Sequence, residues 1–245
     1  MTITGRAVLP TATGLFLHPD DAGIRTLRAA VDRALTALPP VDSFVLLAAG
    51  DEALVHDASA VTLFDGEQPE VRAQLHNDEH LLAALVARGQ FPRVRDDFLV
   101  GPLGVLALLV TAVQPRACTM PVTVPRGAGI DALEAIAAGI VGAAEATERT
   151  VAIVAAGELA LQLDGQHGSD PQPAGFDAAA MTALEAGDAG AMAALGPTRA
   201  GDHGAAGWAP QTVMLAAGPD RGPFDRAEYL SVVRVGRAVA YDLPA

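Results

Sequence analysis

The chain has 245 residues, 51% apolar, 18% charged and 4% aromatic, and its 29 acidic against 16 basic residues give a formal charge of -13. That length and composition fit one globular α/β domain over residues 1–245, and the negative charge repels phosphate backbones and anionic bilayers, so no nucleic acid or membrane partner is expected. Every basic residue is arginine, which excludes lysine Schiff-base chemistry and a P-loop; the single cysteine, Cys118, excludes an internal disulfide, and with no signal-peptide run at the amino terminus the cytoplasm is the expected compartment.

Residues 7–10 read as a short first strand running into a loop at 11–14. Asp20 or Asp21 can then cap a helix through Ala37, in which Leu27, Ala30, Val31, Ala34, Leu35 and Leu38 follow helical spacing. Pro39 and Pro40 stop that helix, and the nearly continuous apolar run at 43–49 predicts a strand covered on both faces. Further strands are expected at 60–64, 105–111 and 151–156, and helices at 79–88 and 131–147. The most apolar stretch, 98–113, is interrupted by Gly101, Pro102 and Gly104 and reads as a buried turn and strand, not a membrane span.

Residues 176–195 are alanine-rich and helical with a break at Gly187 and Asp188, and a further helix is expected at 209–217. Val232, Val233, Val235 and Val239 place a last strand or hairpin over 229–241, and residues 165–175 form the clearest long loop. The order predicts a three-layer αβα fold around a mostly parallel or mixed sheet. In such sheets ligands sit beyond the carboxyl ends of the strands, which directs attention to the loops at 11–14, 50–56 and 158–175.

The run Val151-Ala-Ile-Val-Ala-Ala-Gly157-Glu158-Leu-Ala-Leu161-Gln162, then Asp164-Gly165, a loop and Phe176-Asp177-Ala-Ala, resembles the class III extradiol ring-cleavage dioxygenases, whose catalytic subunit carries a strand, a Ser-Gly-Gly-Leu-Ser-His turn and a glycine-rich loop before a helix. The break at Gly187-Asp188, the element Ala193-Ala-Leu195 and Gly207-Trp-Ala-Pro210 resemble the subunit-B-like (LigB-like) branch, and the similarity covers roughly residues 7–217. The resemblance implies a site in which two histidines and a glutamate hold Fe(II) with positions open for a catechol and dioxygen, beside a histidine acid/base. It also implies a homo-oligomer or a small partner subunit.

This sequence departs from that pattern at each functional position. Thr11 in Pro10-Thr11-Ala12 stands where the first ligand histidine belongs, Asp51 and Glu52 stand where the second does, Leu161 aligns with the base, and residues 208–213 contain no acid for the ligand glutamate. A leucine cannot move a proton. The expectation is a dioxygenase-like protein that has lost its iron site, with no catalytic residue assigned and a small-molecule or protein partner. The alternative is an oxidoreductase with Fe(II) or zinc rebuilt on His18, His56, His80 and the carboxylates Asp51 or Glu158.

His76-Asn-Asp-Glu79-His80 matches the letters of an inverted zinc-peptidase motif, and reads equally as a solvated, capped helix start. Asp78-Glu79-His80 also resembles an acidic-Glu-His element at the cleft rim of Memo-like relatives, which makes His80 a candidate pocket residue. His56, with Asp57, follows the second strand closely enough to reach the same cleft, and Glu158 either occupies space vacated by the metal or pairs with an arginine. Thr11, Asp51, His56, His80 and Glu158 are thus the candidate ligand-binding set. His18, His167 and His203 read as surface positions, Cys118 as a small buried thiol in a packed crossover, and Trp208 as core.

Overall fold

The computed structural model describes residues 2–18, 20–65, 68–89, 91–161, 175–218, 222–232 and 235–243. In chain order the elements are β1 (Ile3–Leu9), α1 (Gly14–Leu17), α2 (Ala22–Ala37), β2 (Ser43–Gly50), β3 (Leu54–Ala58), β4 (Ala60–Asp65), β5 (Gln68–Gln74), α3 (Glu79–Val86), β6 (Arg93–Asp96), α4 (Gly101–Val113), β7 (Cys118–Pro125), α5 (Ile130–Thr147), β8 (Val151–Ala156), β9 (Glu158–Leu161), α6 (Phe176–Ala186), α7 (Ala189–Ala194), α8 (Pro197–Asp202), α9 (Trp208–Ala217), β10 (Arg226–Val232) and β11 (Val235–Tyr241).

The main sheet runs β10-β11-β1-β8-β2-β7-β3-β6, with β9 paired to β11. Its centre, β1-β8-β2-β7, is parallel, and antiparallel pairs flank it on both sides. The fold is therefore a three-layer αβα sandwich around a mixed sheet. Strands β2 and β8 are buried on both faces, as their unbroken apolar runs require. Alternation sends Val45, Leu47, Val122 and Val124 to one face, against α3, α5 and α9, and Phe44, Leu46 and Ala48 to the other, against α2 and α4. Among the described residues no helix is long and apolar enough to cross a membrane.

Local chemistry accounts for most boundaries. The Asp21 carboxylate accepts from the Ile24 N–H at 3.0 Å and caps α2, whose Ile24, Leu27, Ala30, Val31, Ala34 and Leu35 form its buried stripe. Asp78 and Asp188 cap α3 and α7 in the same way. The Gly187-Asp188 break separates α6 from α7 because Gly187 takes a φ of 65°, which ends a helix without a Cβ penalty.

Four expectations change. Residues 105–111 are not a strand: they lie inside α4, where Leu103 through Val110 are all buried, and a helix covered on every side shows no 3.6-residue period to read. The strand at 60–64 exists, but β4 pairs with β5 in a separate two-stranded sheet packed on the α4 side, with a single parallel bridge from Val61 to Leu99. Cys118 lies in β7, not in a crossover. Pro121 is tolerated there because pairing alternates along β7: Cys118 N–H points inward to Asp42 O, Thr119 N–H points outward to His76 O, and position 121 faces outward again, into the gap before β3 pairs at Val122 and Thr123. His56 is not in a loop either, since β3 begins at Leu54.

Candidate functional site

The parallel strands β1, β8, β2 and β7 deliver their carboxyl ends, at Leu9, Ala156, Gly50 and Pro125, to one edge of the sheet. At the β1–β8 half the chain turns a tight corner. Gly157 donates its N–H to Leu9 O and accepts from Ala238 N–H, both at 2.8 Å, so β1, the β8–β9 corner and β11 are tied at a single residue. A Cβ here would collide with the Ala238 carbonyl and stand 3.0 Å from the Leu9 carbonyl carbon, so the corner accepts only glycine.

Glu158 follows at once. The residue is partly exposed, but its carboxyl end turns inward and accepts the Thr11 N–H, closing the loop after β1 onto the β9 strand. Burial pushes its pKa up from the ordinary 4.5, against the opposing pull of the Thr11 hydrogen bonds and the Arg237 charge. Arg237 is its cross-strand partner in register on β11 and is itself 7% exposed. Its guanidinium lies on the Val232 and Val235 carbonyls, its buried Nε has no hydrogen-bond partner among the described residues, and desolvation pulls its pKa down. Glu158 and Arg237 thus interact through the field across the strand pair, with no direct ion pair between them in the structure.

Two further side chains complete this half. Gln211, in the first turns of α9, is wholly buried; its Nε2 donates to Ala156 O at 3.1 Å and its Oε1 has no partner among the described residues. Gly207 lets α9 approach, donating its N–H to Glu158 O at 2.7 Å where a Cβ would strike Gln211 and the Ala156 carbonyl. On the far side of β9, Asp177 accepts from the Ala160 N–H and the Tyr229 hydroxyl, each at 2.8 Å, and burial raises its pKa. Gln211, Arg237 and Asp177 were not singled out from the sequence. A glutamine among Trp208, Pro210, Val213 and Leu215 was the available signal for the first of them.

The β2–β7–β3 half is built differently. His56 Nδ1 lies 2.8 Å from Asp96 Oδ2 and its Nε2 lies 3.4 Å from Thr123 Oγ1, which also donates to Glu52 O at 2.9 Å. These three side chains line a cavity of about 190 Å³ whose other walls include Ala48, Phe98, Val100 and Leu103. A second cavity of about 380 Å³ opens beyond β7 between α8 and α9, lined by Arg126, Trp208 and the small residues between 200 and 209.

The candidate set is therefore split. Thr11 and Glu158 meet directly; Asp51 is exposed at the end of β2; His56 sits in β3 against Asp96 and Thr123. His80 is exposed in the first turn of α3, whose cap Asp78 binds Leu81 N–H, Ser43 Oγ and Arg149. Ser43 opens β2 and Arg149 precedes β8, so His80 stands at the amino ends of the parallel strands, away from the carboxyl edge. The physical reason is that the N-cap Asp78, through its bonds to Ser43 and Arg149, fixes the start of α3 to the bottom of the sheet. His76 is exposed beside it, and Glu79 pairs with Arg93 at 3.2 Å, which leaves the motif of 76–80 as a capped helix start. Asp57 does not share His56's cavity but pairs with Arg93 and Asn77.

His18 is exposed at the end of α1, and His203 is exposed with its ring 5.5 Å from that of Phe176. Leu161 ends β9 opposite Val235, and residues 162–174, with His167 and the long loop, lie outside the described residues. Trp208 is buried and donates to Met192 O at 2.8 Å. Cys118 is half-buried, and burial with the nearby Asp78 charge pushes its thiol pKa up, so it is a poor nucleophile at neutral pH. Among the described residues no three His, Cys, Asp or Glu side chains stand close enough together to hold a metal ion, so His18, His56, His80, Asp51 and Glu158 do not form the rebuilt centre of the alternative reading.

No family model matches the chain, and no curated protein matches it. Among solved structures it is similar to the crystal structure of the uncharacterized protein JW3007 from Escherichia coli K12, with a TM-score of 0.63 at 14% identity over 98% of this chain and 99% of that one. At that identity the likeness concerns the fold.

Proposed function

We propose that this chain is a class III extradiol dioxygenase-like protein that does not carry the ferrous centre and works as a binding protein at the carboxyl edge of its sheet. The donor chemistry at the matched positions carries the reading. A facial iron site calls for two imidazoles and a carboxylate converging on one point, and the residues at or beside the matched positions are Thr11, Asp51, Glu158 and Gln211, with no imidazole among them; His56, at the other half of the edge, is bonded to Asp96 and Thr123. The Glu158 carboxyl accepts the Thr11 N–H, and the Gln211 Nε2 is spent on the Ala156 carbonyl, which leaves only its neutral amide oxygen, no substitute for an imidazole pair. The residues present do not fit the iron group, and no step of ring cleavage follows from them.

The cavity beside β7 is where a small ligand fits this reading. Arg126 lines it with no ion pair among the described residues, and in a chain of formal charge -13 an arginine left without a carboxylate favours a ligand bearing an anionic group. The test is metal analysis of the full chain purified from iron- and zinc-supplemented medium, together with oxygen uptake on catechols. The reading expects substoichiometric metal and no uptake above background. Iron at one equivalent with catechol-dependent oxygen consumption overturns it.

A further inference from the structure

The 190 Å³ cavity holds a constellation that the reading above does not use. Asp96, His56 and Thr123 form a hydrogen-bonded chain at its floor, with spacings of 2.8 and 3.4 Å. Asp96 accepts from Nδ1–H and thereby fixes the tautomer whose Nε2 lone pair faces the Thr123 hydroxyl, the arrangement in which an imidazole serves as base to an alcohol. The His56 side chain is 16% exposed and that of Asp96 33%, so the chain is sheltered yet open to the cavity. The Thr123 proton is within reach of two acceptors, Glu52 O and His56 Nε2, and a rotation of the hydroxyl alone transfers it between them.

Two independent features surround this chain. The amino end of α4, a helix of 13 residues, contributes Val100, Pro102 and Leu103 to the cavity wall, and its N-cap, Val100, supplies no side-chain acceptor. Pro102 has no N–H and Gly104 N–H bonds to Val100 O, so the donors of this first turn are the N–H groups of Gly101 and Leu103, which favour negative charge. The rim is apolar and exposed: Phe98 is 42% and Val100 51% exposed, and Phe64 packs on Phe98 with ring centroids 6.1 Å apart. Among the described residues, three of the six exposed large apolar side chains therefore gather at one small opening.

We propose that this cavity is an acyl-transfer site that hydrolyses esters of short acyl groups, with Thr123 as nucleophile, His56 as general base and Asp96 as the positioning residue. Thr123 Oγ1 adds to the ester carbonyl carbon as its proton passes to His56 Nε2, and the carbonyl oxygen takes up negative charge beside the first turn of α4. Collapse of this intermediate breaks the bond from the acyl carbon to the alkoxy oxygen, and the alcohol leaves with the Nε2 proton. Water then adds to the threonyl ester with His56 again as base, releasing the carboxylic acid and restoring the hydroxyl. Water is the sole co-reactant. The cavity is smaller than sites for drug-sized ligands, which limits the acyl group to a few carbons against Phe98, Val100 and Leu103.

The experiment is hydrolysis of p-nitrophenyl acetate and butyrate by the full chain, with intact-mass detection of the acyl adduct after acid quench. Saturable release of p-nitrophenol is expected, reduced about 100-fold by His56→Ala, with an acyl adduct that Thr123→Val abolishes and Thr123→Ser restores. Asp96→Asn is expected to lower kcat with little change in KM, which loss of a merely structural contact does not produce. A wild-type rate no higher than that of His56→Ala overturns the proposal, as does an adduct that persists in Thr123→Val. Should Thr123→Val fail to fold, His56→Gln with peptide mapping of the wild-type adduct decides the same question. The site is separate from the Glu158 corner and the Arg126 cavity, so this result leaves the metal question where it stands.

Discussion

The two halves of the carboxyl edge spend similar side chains in opposite ways. At β1–β8, the Glu158 carboxyl, the Gln211 amide and the Arg237 guanidinium are turned inward and bonded to the backbone, and the atoms left over, Gln211 Oε1 and Arg237 Nε, are buried, with glycines at 157 and 207 pressing the layers together. At β2–β7–β3, His56, Asp96 and Thr123 bond to one another and face a cavity, and the loop after β7 is loose enough that a Cβ at Gly127 meets nothing within 4 Å. Position relative to the sheet does not separate these halves. The distinction lies in whether the polar atoms retain an open side.

The sharpest way to break the comparison is to add one methyl group to the closed half. Gly157→Ala places a carbon against the Ala238 and Leu9 backbones, neither of which can yield without moving β11 or β1. A loss of about 3 kcal/mol is expected in urea unfolding. A loss below about 1 kcal/mol means that the corner yields, and that the β1–β8 half is not the rigid one.

Charge gives the next largest effect, and it is pH-dependent. Burial raises the Glu158 and Asp177 values above the ordinary 4.5 and 3.8, so the folded chain holds these protons more tightly than the unfolded chain. Below the ordinary values both states are protonated and nothing is lost. As pH rises through the window up to the folded value, stability falls, and the full penalty stands above it. Glu158→Gln keeps an acceptor for the Thr11 N–H and removes the ionisation, so it is expected to raise Tm at about pH 8, by on the order of 1 kcal/mol in stability, with the gain fading toward pH 4.5. A Tm difference that is flat with pH sinks the claim that the carboxyl is desolvated.

Much of the scaffold was legible in the residues because local chemistry wrote it. The Asp21 cap, the double proline after α2, the two-faced apolar runs of β2 and β8 and the Gly187-Asp188 break each act within a few residues. What failed were signals that need the third dimension. α4 lost its period by being buried on every side, and β7 hid behind prolines whose tolerance depends on which neighbour each N–H faces. Glu158 was visible as a carboxylate beyond a buried strand, yet Arg237 became its neighbour only through the register of β9 on β11. His56 was read as a loop residue for the same reason: its partners Asp96 and Thr123 lie 40 and 67 positions away. His80 misled in the other direction, since a motif at the start of α3 carries no information about which end of the sheet the helix begins from.

The open half should respond weakly to the changes that damage the closed one. His56→Ala removes a partly exposed pair with Asp96, and such pairs contribute about 1 kcal/mol or less, so the expected loss in urea unfolding is of that size. Gly127→Ala is the smaller test and the stricter one. Gly127 follows Arg126 at the end of β7, has open space where a Cβ would go, and does not take a positive φ, so alanine there adds no clash and no strain. It also removes backbone freedom from the unfolded chain. The net change is expected within about 0.5 kcal/mol of zero. Set beside Gly157→Ala, the same added methyl at the same edge then reads out packing alone, and two equal losses would mean that the open half is held as tightly as the closed one.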